Sequence, residues 1–151
     1  MSATEFAPDD MVTRAQFVQM LINISKDASG AETVYGDVDS SKWYYSAITA
    51  AEKAGYLPSE LGKNTFAPEK PITREEAAAI IDRWYVPGGG IGQNVNIYSF
   101  ADSDSISPWA VEACENLCTN SVFEGDESGR LNPKMNITRA EAVAIFSRSL
   151  N

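Results

Sequence analysis

An all-α fold built from repeated helix-loop-helix units is predicted by three features of the sequence. A Thr-Arg-x-Glu/Gln motif recurs three times, a half-unit with an aromatic, an aspartate and a tryptophan recurs twice, and apolar residues follow at helical spacing. The 151 residues, 44% of them hydrophobic, suffice for one domain with a buried core.

The chain opens in mid-repeat. Phe6-Ala7-Pro8-Asp9-Asp10-Met11-Val12-Thr13-Arg14-Ala15-Gln16 aligns with Phe66-Ala67-Pro68-Glu69-Lys70-Pro71-Ile72-Thr73-Arg74-Glu75-Glu76. Both align with Leu131-Asn132-Pro133-Lys134-Met135-Asn136-Ile137-Thr138-Arg139-Ala140-Glu141. In each, Thr followed three residues later by Glu or Gln is a capping box at the threshold of an apolar run, so helices are predicted from Thr13, Thr73 and Thr138.

The upstream half occurs as Tyr35-Gly36-Asp37, Trp43 and Ala47, and again as Phe100-Ala101-Asp102, Trp109 and Ala113. Ser41 is expected to cap a helix carrying Trp43, Ala47, Ile48, Ala51 and Ala54, stopped by Gly55. Ser107 is expected to cap the second such helix, with Pro108 in its first position and Trp109, Ala113, Cys114, Leu117 and Cys118 on one face. Turn-rich loops follow over 57–65 and 124–130. The units therefore divide as 1–30 (the second half of a repeat only), 31–87 and 88–151, forming one domain together. Pro87-Gly88-Gly89-Gly90 is the one obvious linker.

Composition narrows the function. Twelve Lys and Arg against 21 Asp and Glu give a net charge of -9, a field that repels phosphate backbones and argues against nucleic acid as partner. No stretch approaches the roughly 20 continuous apolar residues of a membrane-spanning helix. Met1-Ser2-Ala3-Thr4-Glu5 has neither the basic nor the apolar region of an export signal, and reads as the edge of an excised fragment. With no histidine, His-based metal sites and triads drop out. The two cysteines, Cys114 and Cys118, lie a turn apart on one helical face, as small core residues or as a reactive pair.

The repeated arginines stand out. Arg14, Arg74 and Arg139 each occupy the first position of a helix, where the dipole disfavours a cation by about 0.3–1 kcal/mol. Either an internal acid such as Asp37 or Asp102 folds over to pair with them, or an external anion is held jointly by the guanidinium and the free amides of the helix end. Trp43 and Trp109 read either as core or as platforms for a sugar ring. Asp37-x-Asp39 and Asp102-x-Asp104 faintly suggest a calcium loop but lack its glycine and closing glutamate, so no metal and no cofactor is expected. Catalysis is not expected either, because repeated small units suit a symmetric binding scaffold better than one asymmetric active site.

Aromatic-x-Asp, Trp-Ala, Gly-x-x-x-Gly-x-hydrophobic-x-Pro and Ile-Thr-Arg-Ala-Glu together resemble the S-layer homology motif. The closest copy runs through Phe100, Asp102, Trp109, Gly125, Gly129, Pro133 and Ile137 to Glu141. The resemblance implies a pseudo-threefold helical domain that attaches an extracellular protein, with its cargo domains, non-covalently to the cell wall or S-layer. Secondary cell-wall polysaccharide, often pyruvylated, is the implied ligand, with modified peptidoglycan in some relatives. It further implies that Arg74, Arg139 and Arg14 recognise a carboxylate in grooves between units, with Asp37, Trp43, Asp102 and Trp109 near them. The rival reading is a spacer or interaction module whose arginines serve only internal ion pairs. The departures are the missing Asp-Trp half of the first unit, Gln16 in place of Glu, Ser121 where the earlier unit has Gly55, and Leu61-Gly62-Lys63-Asn64 in place of the usual glycine turn.

Overall fold

The computed structural model describes residues 7–85 and 94–151. Phe6, the Pro87-Gly88-Gly89-Gly90 stretch and the expected 87/88 boundary lie outside that range. Five α-helices are present: α1 (Arg14–Ser25), α2 (Tyr45–Ala54), α3 (Arg74–Trp84), α4 (Val111–Thr119) and α5 (Arg139–Ser149). Besides them the described residues hold four short 3-10 turns and isolated β-bridges but no strand, so the fold is all-α. None of these helices is long and apolar enough to cross a membrane.

The capping boxes place α1, α3 and α5 where the sequence predicts. Thr13, Thr73 and Thr138 are extended N-caps whose side chains accept from the amides of Gln16, Glu76 and Glu141. The reciprocal half of the box, an amide of the capping Thr donating to the Gln or Glu side chain, is formed at Thr13 and Thr73.

Around these three starts runs a closed ring of backbone hydrogen bonds. The Val12 amide donates to the Ile137 carbonyl, Ile137 to Ile72, and Ile72 back to Val12, over 3.0, 3.1 and 2.9 Å. Val12, Ile72 and Ile137 are all buried, so the ring lies on the apolar centre of the molecule. This cyclic exchange gives the fold its threefold character, because each unit supplies what the next one lacks.

The helices opening the two upstream half-units begin later than the sequence suggests. Ser41 does not cap α2: its amide and hydroxyl both donate to Asp39 Oδ1 at 2.7 Å, and the helix starts at Tyr45 after a turn containing Trp43. Ser107 does precede Pro108, but Pro108–Ala110 is a 3-10 turn ahead of α4. The Ser107 hydroxyl is drawn away to Glu75. In both cases a nearby carboxylate outcompetes the cap, since a charged acceptor makes the stronger hydrogen bond. Gly55 ends α2 in the left-handed region at φ 83°, and Ser121 adopts the same conformation after α4 at φ 60°.

Helix α1 packs against α2, and α3 against α4. No helix among the described residues covers the matching side of α5. Val143 there is 45% exposed, while its counterparts Val18 and Ala78 are fully buried. Cys114 and Cys118 are free and buried, and burial pushes their thiols up to about 12 and about 11, so they behave as core residues and not as a reactive pair.

Candidate functional site

Asp37 and Asp102, one of the two alternatives offered as partners of the arginines, bond to backbone amides instead. Asp37 accepts from the amides of Phe66 and Ala67, each at 2.8 Å, and Asp102 accepts from Leu131 and Asn132 at the same distances. Each carboxylate thereby clamps the loop that leads into α3 or α5. Ala67 (φ 54°) and Asn132 (φ 57°) are held in the left-handed region at that point. The clamp offsets a backbone conformation costing about 1–2 kcal/mol in a non-glycine residue.

The N-termini of α1, α3 and α5 leave none of their first three amides free for an anion. The first amides of α1, α3 and α5 donate to the carbonyls of Lys70, Met135 and Asp10, and the second amides to Pro68, Pro133 and Pro8, all within 2.8–3.1 Å. The third amide of each goes to the capping threonine. An external anion shared between guanidinium and helix amides is therefore excluded, and any recognition falls to side chains.

What the arginines meet is the capping residue of the next unit. Arg14 makes a bidentate pair with Glu76, Nη2 to Oε1 at 2.8 Å and Nε to Oε2 at 3.1 Å, and donates from Nη1 to the carbonyls of Leu61 and Phe66. It is 5% exposed, so this cation is sealed inside the protein. Arg74 repeats the theme loosely. Nε donates to the Leu131 carbonyl, Nη2 to that of Glu124, and Nη1 lies 3.5 Å from Glu141 Oε2, with the guanidinium 5.1 Å from the Phe123 ring centre.

Arg139 completes the cycle, and there the capping residue of the next unit is Gln16. A glutamine cannot neutralise it. Among the described residues, the buried Arg139 Nε has no hydrogen-bond partner.

Among the described residues, open cavities lie beside two of these arginines. One, of about 320 Å³, lies beside Arg74 and is also lined by Glu124, Asp126, Glu141 and Arg148. Its charges are largely spent on each other, Arg148 standing 3.5 Å from Glu124. The other, of about 180 Å³, is lined by Arg139, Val12, Gln16, Gln19, Met20 and Trp43, so among the described residues Arg139 is its one ionisable group.

Trp43 is 59% exposed and stands edge-on to Tyr44 with ring centres 5.3 Å apart. Trp109 is also exposed, at 36%, on the turn that packs against α3. Of their two readings, neither tryptophan is core.

Among the sequence-selected residues, the structure brings Arg139 and Trp43 to one cavity, sets Arg74 in another, and seals Arg14. It uses Asp37 and Asp102 as loop clamps. Sequence reasoning missed Glu76 and Glu141 as arginine partners and Arg148 and Glu124 as groove residues. The signal for the first two was present in the Gln16, Glu76, Glu141 series at one repeat position. Among the described residues no group of three or more acids or cysteines is gathered to hold a metal ion.

The sequence model of the S-layer homology domain matches residues 34–78 and 99–143. The chain is 39% identical over 150 residues to an amylopullulanase of Thermoanaerobacterium thermosulfurigenes, covering 97% of this chain and 8% of that protein. It is 32% identical over 149 residues to the surface-layer 125 kDa protein of Lysinibacillus sphaericus, covering 96% and 12%. A cellulosome-anchoring protein of Acetivibrio thermocellus is 28% identical over 153 residues, covering 96% and 33%. The chain thus spans a third or less of each of these relatives.

Proposed function

Since the chain belongs to the S-layer homology domain family, a family of binding modules found in cell-surface proteins, we propose that it anchors a larger protein non-covalently to the bacterial cell wall. The whole lies outside the cell, in the wall or S-layer. Units 1–30, 31–87 and 88–151 act as one domain in this reading, and the ligand is an acidic secondary cell-wall polysaccharide, with a pyruvate ketal as the natural source of its carboxylate.

The observation that carries the proposal is the Arg139 cavity. Arg139, whose buried Nε has no hydrogen-bond partner among the described residues, and the exposed Trp43 line one cavity of about 180 Å³. A carboxylate would pair with the Arg139 guanidinium at the cavity wall while a sugar ring lies on Trp43. This local arrangement lets a chain of net charge -9 bind an acidic polymer. Arg74 serves as a weaker second seat because Glu141 already faces it. Trp109 is a contact of the same kind as Trp43, Asp37 and Asp102 shape the groove loops, and Arg14 serves the fold.

We propose no catalysis. The two buried carboxylates have internal partners: Glu76 holds Arg14 and the Thr73 amide, and Glu75 holds the Ser107 amide and hydroxyl together with Lys134. Neither is free to act as a general acid or base. The enzymatic names among the relatives belong to proteins of which this segment is a small part.

The test is co-sedimentation with wall sacculi before and after acid stripping of the secondary polymer. Binding that disappears on stripping and in Arg139→Ala supports the proposal. Binding that survives stripping assigns the ligand to modified peptidoglycan, and absence of binding favours the spacer reading, in which all three arginines serve internal contacts.

A further inference from the structure

The three inter-unit junctions share one geometry and differ in charge. Each places an arginine from the first position of one helix against the third position of the helix in the next unit: Arg14 against Glu76, Arg74 against Glu141, and Arg139 in the cavity of Gln16. At the first junction the pair is tight and buried, at the second it is 3.5 Å apart and half open, and at the third the carboxylate is replaced by an amide.

We propose that Gln16 is the specificity-determining residue of the module, keeping Arg139 uncompensated so that this junction, and not the other two, accepts an anionic ligand group. The proposal rests on the reading of the Arg139 cavity as the polymer seat and adds the reason that seat is selective. A glutamate at this position would bring an internal carboxylate to the guanidinium, and an incoming carboxylate would then face competition and repulsion together. The amide preserves the fold, because Gln16 Oε1 still accepts from the Thr13 amide at 3.0 Å and its own amide still donates to the Thr13 hydroxyl. Position 16 is thus free to vary in charge without losing the cap, which Glu76 demonstrates at the equivalent place.

The cavity's other lining residues agree with this selectivity. Val12, Gln19, Met20 and Trp43 are all neutral, so among the described residues no other charged side chain lining the cavity competes with a ligand for the guanidinium. The Arg74 cavity carries Glu124, Asp126 and Glu141 against two arginines, and a carboxylate entering it meets acids already in place.

The experiment compares wild type, Gln16→Glu and Gln16→Ala. The probe is a monosaccharide carrying a pyruvate ketal, titrated by calorimetry, with its methyl ester as the uncharged control. The Arg139 Nε–Hε resonance is followed in parallel. Wild type is expected to bind the acid and not the ester, with the Arg139 resonance shifting. Gln16→Glu should weaken binding about tenfold or more, and Gln16→Ala should stay within about threefold of wild type. Undiminished binding by Gln16→Glu overturns the proposal, as does an equal loss in Gln16→Ala, which would mean that shape and not charge decides. If wild type binds acid and ester alike, the carboxylate proposal fails along with it, while wall sedimentation still tests anchoring independently.

Discussion

The Arg14 and Arg139 junctions are built from the same repeat position and have opposite fates. Arg14 is 5% exposed, bidentate to Glu76 and bonded to two carbonyls, while Arg139 faces a cavity whose opposing residue is an amide. Position 16 carries an amide where position 76 carries a carboxylate, and in the proposed reading that exchange makes the difference. The comparison shows one repeat position placed in two charge environments, a buried ion pair at Arg14 and a cavity wall at Arg139.

Breaking the tight junction should produce the largest effect. Glu76→Ala leaves the Arg14 guanidinium buried and uncompensated, and should destabilise the protein by about 3–5 kcal/mol in denaturant unfolding. A loss below about 1 kcal/mol would mean that the Leu61 and Phe66 carbonyls alone satisfy the arginine.

The loop clamps separate groove shape from arginine chemistry. Asp102→Ala removes a carboxylate accepting two amides and releases Asn132 from its left-handed conformation, for an expected loss of about 1.5–3 kcal/mol. The unfolding midpoint in urea checks this. An unchanged midpoint would show that the turn around Gly129 holds the loop unaided.

The smallest expected effect is a gain. Ser121 adopts φ 60° where Gly55 does the same job without a side chain, so Ser121→Gly should stabilise by about 0.5–1 kcal/mol. Thermal unfolding decides it, and a fall in midpoint would show that the serine side chain contributes more than its backbone strain costs.

The parts of the fold legible in the sequence were the local ones. Thr13, Thr73 and Thr138 could be read as caps because their partners lie three residues away, and Gly55 as a stop because its conformation is intrinsic. Ser41 and Ser107 misled because their competitors, Asp39 and Glu75, are not part of the capping pattern, and Glu75 lies 32 residues away from Ser107. The arginine partners were out of reach for the same reason, Arg14 and Glu76 being separated by 62 residues. Helical spacing could place Trp43 and Trp109 near a first turn but could not decide their exposure, which depends on what neighbouring units leave uncovered.

The central claim is that one repeat position yields a structural arginine at 14 and a ligand-facing one at 139. The most direct measurement takes a single protein, Arg139→Ala, and determines both its unfolding free energy and its affinity for sacculi with the acidic polymer intact. The expected result is loss of wall binding with stability within about 0.5 kcal/mol of wild type, as for a substitution that removes no ion pair among the described residues. Retained binding together with a stability loss of the size expected for Glu76→Ala would contradict it.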